Sequence, residues 1–357
     1  MREGWEMKRL GDVLKLEYGK PLGNNKRNPN GKYPIYGANG EKGRTNEFYY
    51  NKKTIIVGRK GSAGEINLTD EKFWPLDVTY FATFDEKKYN LMFLFHLLSF
   101  LNLPQLAKGV KPGINRNEVY SIEAKFPSLA EQQRIVAILD EVFAAIAKAK
   151  ANADQNLKNA KELFESYLQA VFENKGQGWE EKRLGEIIKL EYGKPLDNTL
   201  RDLNGLYPLY GANGIKGRTN EFYYSKKTII VGRKGSAGEI NLTEEKFWPL
   251  DVTYFVKFDE NKYDLLFLFY LLSNKRLTTL AKGVKPGINR NEVYSLTVSV
   301  PPLKEQQAIV KKLDALSAET KKLEAIYQKK IEDLEELKKS VLQKAFRGEL
   351  IEEIAIA

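Results

Sequence analysis

The chain has 357 residues, 42% of them hydrophobic, and its 57 Lys and Arg residues against 47 Asp and Glu give a formal net charge of +10. This length and hydrophobic content are enough for two domains with cores of their own. The absence of cysteine excludes a disulfide framework and a thiolate metal site. The first residues contain no apolar core of signal-peptide length, and no run of 18 uncharged apolar residues occurs anywhere. We therefore expect a cytoplasmic protein that makes no membrane contact.

The first 126 residues predict a β-rich domain. The dipeptide Asn39-Gly40 predicts a hairpin turn between two strands, and a second hairpin is predicted from residues 54–57 through a Gly-rich turn to residues 65–68. Residues 91–101 are apolar on almost every side, which predicts a buried helix. A loop and a last strand complete the domain before Pro127.

A long helix is predicted from residue 127 to about residue 175. Its apolar residues recur at alternating steps of three and four, which is the heptad seam of a coiled coil with one four-residue stutter. Such a seam requires a partner helix, and the same pattern returns near the end of the chain. The seam residues are Ile135, Leu139, Val142, Ile146, Ala149, Ala153, Leu157, Ala160, Phe164, Tyr167 and Val171 in the first helix, and Ile309, Leu313, Leu316, Thr320, Leu323, Tyr327, Ile331, Leu334, Leu337, Val341 and Ala345 in the second.

The chain is an internal repeat of one unit. The two copies align at an offset of 174 residues without insertion or deletion. Residues 42–81 and 216–255 are identical at 38 of 40 positions. This repeat predicts an α+β fold of two β-rich domains, each followed by a long coiled-coil helix that pairs with the helix of the other copy. The predicted segments are a first domain at 1–126, a central spacer helix at 127–175, a second domain at 176–300 and a C-terminal spacer helix at 301–357.

The excess positive charge is confined to the globular domains. Residues 1–126 and 175–300 carry net charges of +7 and +5, whereas residues 127–174 and 301–357 carry −2 and 0. This segregation is expected if the domains bind a polyanion while the helices bind each other. A basic surface without a partner is the alternative, and the uneven distribution of charge favours binding.

No stretch predicts catalysis, a cofactor or a metal site. The glycine-rich residues 58–64 follow a strand, but they lack the Gly-Lys-Ser/Thr ending of a phosphate-binding loop, and a strand is predicted after them. The single histidine, His96, lies in an apolar run and is replaced by Tyr270 in the second copy, which indicates a core residue. Asp77 and Glu65 lack an acid–base or metal-ligating partner. We therefore expect a non-catalytic chain.

Cationic and amide side chains concentrate on three glycine-rich loops of each domain. Lys and Arg neutralise phosphates, Arg binds guanine through two hydrogen bonds, and Asn binds adenine in the same way, so this composition suits the reading of base edges. The alternative is that the glycines serve turns and the lysines solubility. The predicted DNA-binding residues are Arg44, Asn46, Arg59, Lys60, Ser62, Lys108, Lys111, Asn115 and Arg116, with their counterparts Arg218, Asn220, Arg233, Lys234, Ser236, Lys282, Lys285, Asn289 and Arg290.

A family resemblance rests on a series of motifs along the whole chain. They include Tyr-Gly-Ala-Asn-Gly, Ile-Val-Gly-Arg-Lys-Gly-Ser-Ala-Gly, Gly-Val-Lys-Pro-Gly-Ile-Asn and the closing residues 337–350. The most specific is Pro-x-Leu-x-Glu-Gln-Gln, which opens a long helix at residues 127–133 and again at 301–307. In this order the motifs resemble the DNA specificity subunit of type I restriction-modification enzymes.

The resemblance implies a non-catalytic subunit with two target-recognition domains, each of which reads half of a split site on double-stranded DNA. It also implies that two long antiparallel coiled-coil helices separate the domains, which would relate the two copies by a pseudo-twofold axis. It implies two adenine methyltransferase subunits as partners, with restriction and translocase subunits as optional further ones. The alternatives are a structural or RNA-binding scaffold and, less favoured, a self-contained methyltransferase or nuclease, for which the sequence shows no methyl-donor site or metal cluster.

The sequence departs from the family pattern because its two domains are near copies. Domains of one chain in this family commonly differ, so near copies predict equal half-sites in inverted orientation. The copies differ most at residues 23–31 against 197–205. We favour a tolerant surface loop there over a specificity loop, since surface loops vary freely.

Overall fold

The computed structural model describes residues 4–350, which form two compact units. One unit comprises the described residues up to Asp154 together with those from Lys329 onward, and the other comprises Gln155–Gln328. Each unit therefore contains one globular domain, and the unit boundaries fall inside both long helices instead of at the ends of the sequence repeat. No helix between residues 4 and 350 is long and apolar enough to cross a membrane.

The first domain alternates short strands with short helices. Its strands are β1 (Glu6–Arg9), β2 (Leu14–Tyr18), β3 (Tyr33–Gly37), β4 (Gly40–Thr45), β5 (Ile55–Gly58), β6 (Ile66–Leu68), β7 (Trp74–Pro75), β8 (Thr79–Phe84) and β9 (Glu123–Phe126). Its helices are α1 (Leu10–Val13), α2 (Leu91–Phe100) and α3 (Arg116–Tyr120), and 3-10 turns occur at Asn24–Lys26 and Leu103–Leu106. The first long helix, α4 (Leu129–Glu173), follows.

The second domain repeats these elements 174 residues later. Its strands are β10 (Glu180–Arg183), β11 (Ile188–Tyr192), β12 (Tyr207–Gly211), β13 (Gly214–Thr219), β14 (Ile229–Gly232), β15 (Ile240–Leu242), β16 (Trp248–Pro249), β17 (Thr253–Phe258) and β18 (Thr297–Val300). Its helices are α5 (Leu184–Ile187), α6 (Leu265–Asn274) and α7 (Arg290–Tyr294), with 3-10 turns at Asn198–Leu200 and Leu277–Leu280. The second long helix is α8 (Leu303–Arg347).

Three small sheets build each domain from its described residues. In the first domain an antiparallel sheet has the order β2-β8-β5-β6, a second has the order β4-β3-β7, and β1 pairs with β9. Strand β3 is antiparallel to β4 and parallel to β7. The second domain has the equivalent sheets β11-β17-β14-β15, β13-β12-β16 and β10-β18.

Strand β5 is buried on both faces. Ile55 and Val57 belong to the main core with helix α2, whereas Ile56, which points the other way, packs with Phe73 and Phe81. A strand covered on both faces reads as a continuous apolar run, which is how the sequence presents it. The predicted buried helix is α2, whose residues Phe93, Leu94 and Leu98 are fully inaccessible, and the predicted second hairpin is β5 with β6.

The predicted turn at Asn39-Gly40 differs by one residue in the structure. Gly37 pairs with Gly40, so the two loop residues are Ala38 and Asn39, and Gly40 begins strand β4. Gly40 has a φ of +106°, a backbone conformation that glycine adopts without steric cost. The positive φ therefore occurs at the first residue after the turn, and not at the second central position of the turn.

The two long helices pack antiparallel within each unit, as predicted. In the first unit the start of α4, at Ile135 and Leu139, shares a core with the end of α8, at Ala345 and Phe346. In the second unit the end of α4, at Leu168, shares a core with the start of α8, at Val310 and Leu313. Each helix thus helps to close the core of both globular domains.

The buried stripe of α4 departs from the predicted seam near its C-terminal end. Tyr167, a predicted seam residue, is 38% exposed, while Leu168 is buried. The step from Phe164 is therefore four residues and not three, which keeps the apolar side chains on one face of a helix with 3.6 residues per turn.

Candidate nucleic-acid interface

Two of the three predicted loops lie against each other in the structure. The amide of Gly61 donates to the carbonyl of Pro112 at 2.9 Å, and the amide of Ile114 donates to the carbonyl of Arg59 at 3.0 Å. The second domain has the same pair of hydrogen bonds at 2.9 and 3.0 Å between its corresponding loops. Residues that are separated by about 50 positions in sequence are thereby joined in one surface.

The loop after β5 is shaped by close backbone contacts. The amide of Gly58 donates to the carbonyl of Glu65 at 2.8 Å, and the amide of Gly64 donates to the carbonyl of Gly58 at 2.8 Å. Gly64 has a φ of +84°, and a Cβ atom there would lie 2.4 Å from the amide nitrogen of Pro104. These glycines therefore serve the packing of the chain, and strand β6 follows them where a phosphate-binding loop would have a helix.

An exposed tyrosine lies between two of the predicted arginines. The Arg59 and Arg116 guanidinium carbons are 5.4 and 4.9 Å from the ring centre of Tyr18, which is 48% exposed. In the second domain Arg233 and Arg290 are 5.4 and 5.1 Å from the ring of Tyr192. We call Tyr18, Arg59 and Arg116, with their counterparts, the arginine–tyrosine cluster.

Both arginines are oriented by the chain and keep hydrogen-bonding capacity. The Arg59 Nε and Nη2 atoms donate to the backbone carbonyl of Asp77 at 2.9 and 2.6 Å, and Arg116 Nη1 donates to the carbonyl of Leu16 at 3.3 Å. A guanidinium group has five N–H donors, so each arginine retains donors for a planar acceptor such as a base edge or a phosphate. Pre-positioned donors lose less entropy when they bind.

The tyrosine beneath the cluster remains neutral at physiological pH. Tyr80 lies edge-on to Tyr18 at 5.1 Å and donates to the carbonyl of Ile114 at 3.3 Å. Burial raises the pKa of Tyr80, with Tyr18 adding to the increase. The same causes raise the pKa of Tyr254 in the second domain to about 12. Tyr80 and Tyr254 therefore add no negative charge beneath the arginines, which suits the binding of a polyanion.

The other predicted residues of these two loops take three kinds of position. Lys60 and Lys111 are exposed, whereas Lys108 is ion-paired with Glu118 at 2.5 Å. The side chain of Asn115 accepts from the amide of Asn117 at 2.9 Å and so caps helix α3. Ser62 is half-buried. Their counterparts Lys234, Lys285, Lys282, Asn289 and Ser236 lie equivalently.

The third predicted loop is tied to a different part of the domain. Arg44 donates from Nε to the carbonyl of Gly31 and from Nη2 to the carbonyl of Lys32, both at 2.8 Å, and it is ion-paired with Glu41. Asn46 accepts from the amide of Lys32 at 3.3 Å. Arg218 and Asn220 hold Gly205 and Leu206 in the same way. These four side chains brace the loop that precedes β3 or β12, and their contact with DNA stays a prediction.

The loop at which the copies diverge, together with the residue that follows it, exposes leucine side chains in the second domain only. Leu203 is 90% exposed where the first domain has Pro29, and Leu206 is exposed where it has Lys32. Replacement of a lysine by leucine removes a phosphate-binding group, which is consistent with a loop that does not contact DNA.

Tyr18 and Tyr192 are the functional candidates that sequence reasoning missed. Each ends a strand in the sequence Leu-Glu-Tyr-Gly, and only the fold brings that strand end beside Arg59 and Arg116 or their counterparts. The one available signal was an identical tyrosine in both copies. Among residues 4–350, no group of three or more His, Cys, Asp or Glu side chains is arranged to hold a metal ion.

Comparison with known proteins identifies the family. The model of the type I restriction modification DNA specificity domain matches residues 2–156 and again residues 176–336. The chain therefore belongs to the type I restriction-modification DNA specificity family. A putative type I specificity subunit of Mycoplasma pneumoniae is 26% identical over 304 residues, which cover 81% of this chain and 83% of the relative. The EcoDI specificity subunit of Escherichia coli is 23% identical, with 97% and 88% covered.

Solved structures share the fold. A chain from work on complex assembly and conformational transition of the type I R-M system has a TM-score of 0.81 at 18% identity, with 98% of this chain and 99% of that chain covered. The HsdS subunit from Thermoanaerobacter tengcongensis has a TM-score of 0.62 at 20% identity, with 98% of each chain covered.

Proposed function

We propose that each globular domain binds duplex DNA and reads one half of a bipartite site through the arginine–tyrosine cluster and its two loops. The observation that carries this proposal is the repeated placement of two guanidinium groups beside an exposed tyrosine, on domains that hold all the excess positive charge. Lys60 and Lys111 would neutralise phosphates, while Arg59 and Arg116 would read base edges.

The chain would act as the non-catalytic subunit that positions methyltransferase subunits on DNA. Its relatives are named type I specificity subunits. Apolar side chains remain exposed on the long helices, at Leu163 of α4 and at Ile326 and Leu337 of α8, although the heptad pattern had placed Leu337 in the seam. Contiguous exposed apolar surface marks protein interfaces, so these positions are the first to substitute when the methyltransferase contact is mapped.

The test compares two double variants of the full chain that lose equal charge. Arg59→Ala with Arg233→Ala removes one arginine from each cluster, whereas Arg9→Ala with Arg183→Ala removes exposed arginines from β1 and β10. Duplexes are selected from a random library, and affinity is measured at several salt concentrations. We expect the cluster variant to lose discrimination at one position of each half-site, at about 1–3 kcal/mol per position. We expect the control to keep the selected sequence.

Two results would contradict the proposal. Equal losses in both variants would mean that only overall charge matters. Tighter binding of single-stranded RNA than of duplex DNA would instead support an RNA-binding scaffold.

A further inference from the structure

The turn between Lys108 and Gly113 places an apolar side chain entirely in solvent. Val110 has a relative exposure of 104%, and its counterpart Val284 has the same value, the highest among the exposed large hydrophobic residues described. Residues 107–117 and 281–291 are identical in sequence. A valine that is fully exposed in the folded chain contributes no burial to stability, so packing does not explain this residue type at the tip.

The turn is firmly held at its base. Lys108 and Gly113 exchange two backbone hydrogen bonds of 3.0 Å, and Gly109 adopts a φ of +92°. Pro112 accepts from the amide of Gly61, which fastens the turn to the loop that carries Arg59. The valine is thus presented on a narrow hairpin beside the arginine–tyrosine cluster.

An exposed lysine lies next to the valine. Lys111 follows Val110 directly and is exposed, whereas Lys108, two residues before it, is ion-paired with Glu118. A hairpin tip that presents an apolar group beside an exposed lysine suits a groove whose rims carry phosphates. The major groove is wide enough for a two-stranded ribbon, and the apolar group displayed along its floor is the C5 methyl of thymine.

We propose that Val110 and Val284 enter the major groove and contact a thymine methyl group, one in each half-site. This inference rests on the proposed function and deepens it, because it assigns a base-discriminating role to a residue without hydrogen-bonding groups. Insertion between base pairs is the other use of an apolar tip, but the residues that unstack bases are typically larger than valine. Identical loops in the two domains predict that the thymine occupies the same position in each half-site.

The experiment removes single methyl groups from the DNA. The full chain is titrated with its selected duplex and with duplexes in which each thymine in turn is replaced by uracil. We expect one position per half-site at which the replacement weakens binding by about fourfold, the effect of one buried methyl group. All other replacements are expected to leave the affinity unchanged.

Substitution of each valine tests whether that residue contacts the thymine methyl group. In Val110→Ser, the replacement of thymine by uracil is expected to have no effect on binding in one half-site. In Val284→Ser the same is expected in the other half-site, so each variant is the control for the other. Both side chains are fully exposed, so the variants are expected to melt at the same temperature as the unsubstituted chain.

Several outcomes would overturn the inference. The methyl contact would be refuted if the selected half-sites contained no thymine, or if no uracil replacement weakened binding. In either case the proposed function would still stand, provided that the chain binds DNA with sequence specificity. Equal loss for thymine and uracil duplexes in Val110→Ser would show a non-specific contact. A rise in 2-aminopurine fluorescence on binding, lost in Val110→Ser, would show insertion between bases. Absence of sequence-selective DNA binding would refute the proposed function itself, and the inference with it.

Discussion

Gln132 explains why the chain carries Glu-Gln-Gln at the start of a long helix. Its side chain is fully buried, and its Nε2 atom donates to the carbonyls of Pro127 at 2.9 Å and Lys88 at 3.0 Å. Its Oε1 atom accepts from the amide of Asn90 at 2.8 Å. One amide thus joins helix α4 to the residues that precede helix α2. Gln306 makes the same three contacts in the second domain.

Gln132→Leu should destabilise the first unit strongly. The change leaves one buried carbonyl, one partly buried carbonyl and one amide without their partner, and we expect a loss of about 3 kcal/mol in the free energy of unfolding. Denaturant unfolding of the full chain measures it. The neighbouring Gln133 is exposed, so Gln133→Leu is the matched control and should change stability by less than about 0.5 kcal/mol. Similar losses in both variants would contradict this role.

His96 is the residue at which we expect the first domain to be sensitive to acid. Its side chain is buried between α2 and the long helices, and its Nε2 atom lies 3.7 Å from Asp140 without a hydrogen-bond partner among the described residues. Phe95, Phe143 and Lys338 also surround the imidazole. Burial lowers the pKa of His96 below its ordinary value of 6.5, although Asp140 acts in the opposite direction. In the second domain Tyr270 donates to Asp314 at 2.5 Å instead.

Stability should therefore fall as the pH decreases below about 6.5. The folded chain favours neutral imidazole, so this contribution is complete above the ordinary pKa of histidine and is lost as the pH falls through the lowered value. His96→Tyr introduces the residue of the second domain and should remove this part of the pH dependence. Thermal unfolding of both proteins between pH 5 and pH 8 measures the difference. A constant difference across that range would show that His96 does not titrate on unfolding.

The sequence predicted the secondary-structure elements in which apolar side chains form a regular or continuous pattern. The short continuous apolar run of β5 and the longer apolar run of α2 predicted both elements, and the 174-residue offset predicted every element of the second domain from the first. Helix α3 was missed because five residues are too few to show a period. The Arg59 and Tyr18 contact was missed because it joins strand ends that are distant in sequence.

The two long helices should set the distance between half-sites. Each has 45 residues, about 67 Å at 1.5 Å per residue. Deletion of seven residues, 147–153 from α4 and the facing residues 331–337 from α8, preserves the heptad pattern and removes about 10 Å of helix. The preferred gap in the selected DNA should then shorten by about three base pairs, at 3.4 Å per base pair along a strand. An unchanged gap would show that the helices do not act as a spacer.

In each unit, an aromatic residue near the C-terminal end of a long helix packs into the core of the globular domain. Phe346 of α8 packs against Phe93 in the first unit at 5.4 Å between ring centres, and Phe172 of α4 packs against Phe267 in the second at 5.6 Å. These pairs are equivalent under the 174-residue repeat. A chain of residues 1–176 lacks Phe346 but contains Phe172, so a second copy of that chain could supply the missing ring.

We therefore predict that residues 1–176 form a homodimer that selects the same DNA as the full chain. Two identical domains related by a twofold axis read a twofold site, so the half-sites should be inverted repeats separated by a gap that is not read. Partner methyltransferases would then modify equivalent positions, one on each strand. Phe172→Asp should keep the fragment monomeric, because a charge would replace the aromatic ring at a partly buried contact, and should reduce its affinity for the two-part site. Light scattering and duplex selection test both statements. Direct repeats, or two unrelated half-sites, would refute the symmetric arrangement even if each domain binds DNA.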